Sequence, residues 1–254
     1  MGTAAGRDVL AGADRQMAVE DLRLGIESAA AFQGVALTEL RNIVAAASLR
    51  RYRDQETIFS RGDAPSFVFL IVSGLVQIGT LSVTGKRVTV EIFNQLELFG
   101  EIGVIDGQKR TADATAMGPV SVVAIPSAAF AALLDTSPAF ARNMMRTVAR
   151  RLRRTYSLFE DASLSDLEHR FAKQVIYLIG LGATGDRQVR LYSRMRQGDL
   201  ADLLGATPRS IISILNKWRA DGLVEFDGRA AQLTVLDIDR FTALVNDDMT
   251  RPAG

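Results

Sequence analysis

Within the stretch FGEIGVIDGQKRTADATA (99–116), the run Phe99-Gly100-Glu101-Ile102-Gly103-Val104 is followed, after five residues, by Arg110-Thr111-Ala112. A carboxylate, a guanidinium and a hydroxyl thus lie close together in a short piece of chain. Two chemistries suit them. Arg110 offers paired donors to the two exposed oxygens of a phosphodiester, and Thr111 adds a hydroxyl and a backbone N–H. Gly100 has no side chain, so the N–H groups at Gly100-Glu101 can approach the same anion. Glu101 is then placed to accept a ribose hydroxyl and to steady Arg110. The other reading is a salt-bridged corner. A buried Glu101–Arg110 pair persists for stability alone, because leaving either charge unpaired is costly.

A second set of polar residues lies in DLADLLGATPRSIISILNKWRADGLVEF (199–226). Leu200, Leu203 and Leu204 turn one short helix inward, and Gly205 permits a bend. Thr207 caps a second helix, with Pro208 at its first position. Ile211, Ile214, Leu215 and Trp218 form the inner face of that helix. Thr207, Arg209, Ser210, Ser213 and Lys217 are left on its outer side. A recognition helix meets base edges with its N-terminal residues, so Arg209 is the expected base reader, to guanine through its planar fork. Ser210 and Ser213 reach a base or a phosphate. Lys217 and Arg219 suit phosphates, which give affinity without sequence information. Arg229, at the tip of a following hairpin, is placed to touch backbone beside the minor groove. A solvated helix used for protein contacts would show similar residues. Turn, cap and wing in this order favour double-stranded DNA.

Composition narrows the alternatives. The 254 residues are 48% hydrophobic and 23% charged, with a formal net charge of +1, so any basic patch must be local. There is no cysteine and one histidine, His169. This removes disulfides, iron–sulfur clusters on thiolates and multi-histidine metal sites, and a haem is not expected. His169 reads as a surface or capping residue. No Ser/His/Asp set or P-loop stands out, so the chain is not expected to be an enzyme. Without a long apolar run or a secretion signal, the expectation is a cytoplasmic protein with no membrane contact.

The elements that must position these groups follow from the patterning. Residues 1–21 read as a flexible tail, and 22–136 as a β-roll or β-sandwich with flanking helices. Its strands start near Glu56, with glycine and polar breaks every eight or so residues. Ser137-Pro138 starts a long helix, and 137–163 forms that helix and a hinge near 161–165. Along it, Met145, Val148, Leu152, Thr155 and Phe159 recur at three- and four-residue steps, the seam of a coiled coil. That seam either pairs with its copy in a homodimer or packs on its own β-domain. Residues 164–245 read as a winged helix-turn-helix with Asp227-Gly228 at the hairpin turn, and 246–254 as a tail.

Two stretches resemble the cyclic-nucleotide-binding domain: IFSRGDAPSFVFLIVSG, with Gly62-Asp63, apolar Val68 to Ile71 and Gly74, and the cassette at 99–112. With the long helix and the winged helix-turn-helix, the order is similar to that of the cyclic-AMP receptor protein and fumarate-nitrate-reduction regulator (Crp/Fnr) family, over Leu22 to Val245. The first stretch departs from that pattern at Phe59 and Pro65. The resemblance implies an α+β fold: an N-terminal jelly roll, a dimerisation helix and a C-terminal winged helix-turn-helix. It implies a homodimeric transcription regulator under allosteric control by cyclic AMP, with cyclic GMP as the second candidate. The implied ligand set is Gly100, Glu101, Ile102, Arg110 and Thr111, with Thr155 and Tyr156 near the base. The implied partners are a pseudo-palindromic DNA operator, read by helices about 34 Å apart, a second copy of the chain, and RNA polymerase. Tyr156 stands where the cyclic-AMP receptor has serine. Pro208-Arg209 and Ser213 also differ from its recognition helix, so its operator is not carried over. The alternative is a regulator of the same fold that binds DNA constitutively or answers a non-nucleotide signal.

Overall fold

The computed structural model describes residues 22–81, 87–180, 189–190, 195–229 and 231–246. Two long apolar runs become its longest strands, β3 (Phe67–Leu81) and β6 (Asp113–Pro126), paired antiparallel from Phe67↔Pro126 to Gly79↔Asp113. β1 (Ser48–Tyr52) and β2 (Thr57–Phe59) pair with β6, while β4 (Arg87–Phe93) and β5 (Leu98–Phe99) lie along β3. Buried side chains fall on both faces of these strands. One set, including Phe69, Ile71, Phe99, Ala114, Ala116, Val122 and Ala124, fills the interior of the roll. The alternate set, Val68, Leu70, Val123 and Ile125, packs beneath helices. This is the double-sided burial expected of a sheet covered on both faces.

The helices on the outer set are α1 (22–28), α2 (Leu37–Ala46), a short α3 (Ile102–Asp106) and α4 (Ser127–Thr136). Next comes α5 (Pro138–Leu164), whose first turns supply Phe140 and Met144 to the same core. β1 differs from the sequence reading, which started the strands near Glu56 and left Ser48–Tyr52 to the flanking helices. Pairing with β6 along its whole length overrides the local pattern. Residues 22–80 and 90–152 make up one unit, and 81–89 and 153–246 the other.

In the second unit, α6 (Leu167–Gly180), α7 (Gln197–Leu204), α8 (Pro208–Ala220) and α9 (Ile238–Asn246) accompany a small sheet in the order β7 (Val189–Arg190), β9 (Gln232–Val235), β8 (Val224–Asp227). Trp218 of α8 is fully buried between Phe171 of α6 (centroids 4.7 Å apart) and Phe241 of α9 (5.0 Å). β8 and β9 pair from Val224↔Val235 to Asp227↔Gln232, which makes the expected wing. His169 corrects the sequence reading: it is buried in α6, and its backbone N–H is capped by Asp166 at 2.8 Å. The tail expected at 1–21, and the C-terminal tail beyond Asn246, lie outside the described residues.

Candidate functional site

The cassette at 99–112 is assembled by a turn, a tie between distant segments and a short strand. Ser60 N–H donates to the Asp63 carboxylate (2.8 Å) and shapes the turn after β2. That turn is tied to the second half of the cassette, with Gly62 N–H donating to Arg110 O and Arg110 N–H to Asp63 O, both at 2.9 Å. β5 then delivers Phe99 opposite Phe69, and the chain turns at Gly100 with φ +77°. A Cβ at Gly100 would lie 2.7 Å from Arg110 Nη1 and 3.2 Å from Phe59 Cε1, so only glycine lets the guanidinium close against this backbone. Glu101 stands at the N-cap position of α3, where its carbonyl, not its side chain, accepts from Val104 and Ile105 N–H, and Gly103 packs where a Cβ would meet Gln108 O at 2.6 Å.

Arg110 is 5% exposed. Its Nη1 donates to Gly100 O and its Nη2 to Phe67 O, and the guanidinium lies 4.2 Å over the Phe59 ring. Its buried Nε has no hydrogen-bond partner. Burial lowers its pKa from the ordinary arginine value, against the opposing pull of Glu101 and Asp63. Phe59, a departure in the sequence pattern, therefore has a role here as the apolar floor under the guanidinium. Phe59 itself stacks on Phe69 and Phe99.

Glu101 is 2% exposed, and its partner is not the expected one. Its Oε1 accepts from Arg151 Nη1 of α5 at 2.5 Å, while Arg151 Nη2 donates to Leu98 O. The Arg151 guanidinium also lies 4.2 Å over Phe93. Arg110 has turned to backbone carbonyls instead. Sequence reasoning missed Arg151, one of four arginines in ARRLRRTYS. Its only local mark is its place beside Leu152 on the seam. Of the Arg110 and Arg151 guanidinium groups, only that of Arg151 is therefore bonded to the buried Glu101 carboxylate. That arrangement suits a bound monoanion. Thr111 and Ile102 are exposed at the rim.

On α5, Met145 (68% exposed), Val148, Leu152, Tyr156 and Phe159 (73% exposed) are uncovered apolar residues, and Thr155 is exposed among them. The seam therefore does not pack on the chain's own β-roll up to Leu152, and it is an unusually long exposed apolar stripe. Thr155 and Tyr156 belong to the second unit.

In that unit α8 begins as the sequence reading expects. Thr207 Oγ1 accepts from Ser210 N–H (3.2 Å), with Pro208 in the first turn. The Ser210 hydroxyl is engaged with Thr207 Oγ1 at 2.9 Å. Ile211, Leu215 and Trp218 are buried, which leaves Arg209, Ser213 and Asn216 exposed on the opposite line. Asn216 was missed from sequence, and its Oδ1 accepts from Arg219 Nη2 at 2.8 Å. Lys217 lies on the flank, bound to Glu168 at 2.7 Å. Arg229 is exposed at the wing, where its backbone N–H donates to Asp227 at 2.8 Å. Among the described residues no group of acidic, histidine or cysteine side chains is arranged to hold a metal, and no helix is long and apolar enough to cross a membrane.

Residues 49–137 match the cyclic nucleotide-binding domain, and residues 169–244 match the Crp-like helix-turn-helix domain. The chain is 27% identical over 179 residues to the CRP-like cAMP-activated global transcriptional regulator of Mycobacterium tuberculosis, covering 70% of this chain and 80% of that one. It is 26% identical over 193 residues to the cyclic AMP receptor protein of Thermus thermophilus, covering 76% and 87%. Among solved structures, FixK2 from Bradyrhizobium japonicum superposes with a TM-score of 0.71 at 20% identity over 82% of this chain and 99% of its own. The c-di-GMP responsive regulator CLP of Xanthomonas campestris superposes with a TM-score of 0.66 at 20% identity, over 79% and 99%. A roll that matches the cyclic nucleotide-binding domain, followed by a Crp-like helix-turn-helix, in a chain whose relatives regulate transcription and are not enzymes, makes this protein a DNA-binding transcription regulator of the Crp/Fnr family.

Proposed function

We propose that this chain is a homodimeric regulator whose DNA binding is controlled by a cyclic nucleotide, cyclic AMP in the first place and cyclic GMP in the second. The observation that carries the reading is the buried Arg110 guanidinium, with an unpartnered Nε and no carboxylate of its own. An equatorial phosphate oxygen supplies the missing acceptor and the missing charge. Glu101 accepts the ribose hydroxyl, Gly100, Ile102 and Thr111 border the phosphate, and Thr155 and Tyr156 of α5 meet the base. The two relatives named for cyclic AMP support this choice of effector.

In the mechanism that follows, the nucleotide biases an existing equilibrium of α5 and the hinge after it. A differential affinity of about 3 kcal/mol between the two states shifts their ratio more than a hundredfold. Paired α5 seams, built on Met145, Val148, Leu152, Thr155 and Phe159, then present two α8 helices to successive major grooves of a pseudo-palindromic operator in the cytoplasm. Arg209 reads a base, Thr207, Ser210 and Ser213 lie beside it, and Arg229 touches the backbone. RNA polymerase is the partner through which the bound dimer acts.

Titration calorimetry with cyclic AMP and cyclic GMP tests this. Arg110→Ala is expected to abolish binding while the circular dichroism spectrum is retained. Unchanged affinity in that variant would sink the pocket assignment. DNA binding indifferent to either nucleotide would favour a constitutive regulator, or one that answers another signal.

A further inference from the structure

Glu168 lies at the start of α6 and uses both carboxylate oxygens on the recognition helix. Oε1 accepts from Trp218 Nε1 at 2.9 Å, and Oε2 accepts from Lys217 Nζ at 2.7 Å. The two donors differ in kind. Trp218 is a fully buried core residue whose indole N–H needs an acceptor. Lys217 has a side chain that is 61% exposed and belongs to the flank of α8, one step off the outward line of Arg209, Ser213 and Asn216. A lysine on that flank is where a phosphate contact would be sought. Here its Nζ is bound to Glu168 of α6 instead.

We propose that Glu168 is a positioning residue for DNA binding: it fixes α8 on α6 through the Trp218 indole and holds Lys217 away from the phosphate backbone. The proposal rests on the DNA-binding reading above. It assigns the carboxylate two separable effects. The neutral acceptor function orients the helix. The negative charge removes one cation from the phosphate-binding set, so the protein binds DNA with one phosphate contact fewer than its exposed basic residues imply.

Glu168→Gln separates the two, because an amide oxygen still accepts from Trp218 while the ion pair with Lys217 is lost. Trp218 is the single tryptophan of the chain, so its fluorescence reports the helix directly. The full-length protein is titrated with a random-sequence duplex over a series of salt concentrations. Glu168→Gln should leave the emission maximum unchanged, tighten binding at low salt, and steepen the dependence of log K on log salt by about 0.9. Adding Lys217→Gln to that variant should return the slope to the wild-type value. This separates a freed lysine from the mere loss of a carboxylate. Glu168→Leu should shift the emission through loss of the indole acceptor. A wild-type slope in Glu168→Gln, or a slope that stays steep in the double variant, would overturn the proposal. Failure of the wild-type protein to bind duplex at low salt would overturn the DNA reading, and this proposal with it.

Discussion

Arg151 of the long helix closes a 2.5 Å ion pair on Glu101, the buried carboxylate of the 99–112 cassette. Fifty positions of sequence separate the two residues. The acceptor proposed for a ribose hydroxyl is therefore also a fastening point for α5, one residue before Leu152 on the exposed seam.

The pair should be worth more intact than the sum of its parts. Arg151→Met leaves a buried carboxylate without its cation and is expected to cost about 3 kcal/mol in urea unfolding of the β-roll. Combining it with Glu101→Gln should recover most of that loss. Additive losses in the double variant would show that the two side chains act independently.

Two glycines separate backbone strain from site geometry. Both Gly62 and Gly100 have positive φ, so alanine is expected to cost about 1–2 kcal/mol at each. Only at Gly100 does the new methyl run into Arg110. Gly100→Ala should lose nucleotide binding as fully as Arg110→Ala does, while Gly62→Ala keeps it. Calorimetry on both variants checks this, and equal affinities would contradict the packing argument.

The α5 seam should set the oligomeric state. Leu152→Glu places a charge in the middle of the exposed apolar stripe and is expected to give a monomer in sedimentation velocity. It should also weaken binding to a two-half-site operator far more than to a single half-site. A variant that stays dimeric would move the interface elsewhere.

Glu97 makes stability depend on pH. Burial pushes its carboxyl above the ordinary glutamate value, opposed by the Asn94 backbone N–H and by Arg151 and Arg150. The folded chain then holds this proton more tightly than the unfolded chain. That contribution is fully present below the ordinary carboxylate range and is lost as pH rises through the folded-state value. Glu97→Gln should accordingly raise the thermal midpoint near neutrality and flatten its decline out of the acidic range. A lower midpoint at neutral pH would mean that the ion pair with Arg150 outweighs burial.

At the recognition helix, Arg209→Ala should flatten sequence preference more than overall affinity, at a cost of about 1–3 kcal/mol on a selected operator. Equal losses on selected and random duplexes would assign Arg209 to phosphate instead.

The order of domains, the cap of α8, the start of α5 and the wing were legible in the sequence because each depends on neighbours within a turn or two. Thr207 reaches Ser210, Pro208 restricts its own φ, and Asp227 bonds the N–H of Arg229. The cassette itself was legible as a set of residue types. Its pairing was not. Arg110 turned to the carbonyls of Gly100 and Phe67, Glu101 went to Arg151, and Lys217 went to Glu168. The strand at Ser48–Tyr52 and the burial of His169 were decided in the same way, by partners distant in sequence. A guanidinium or an ammonium carries no local preference for one acceptor over another. Which acceptor it takes is settled when the β-roll is laid against α5, or α6 against α8, and water is excluded from between them. The sequence by itself therefore determined which charged and polar groups the protein brings to the cassette and to α8, and only the tertiary structure decided which of them are held by one another.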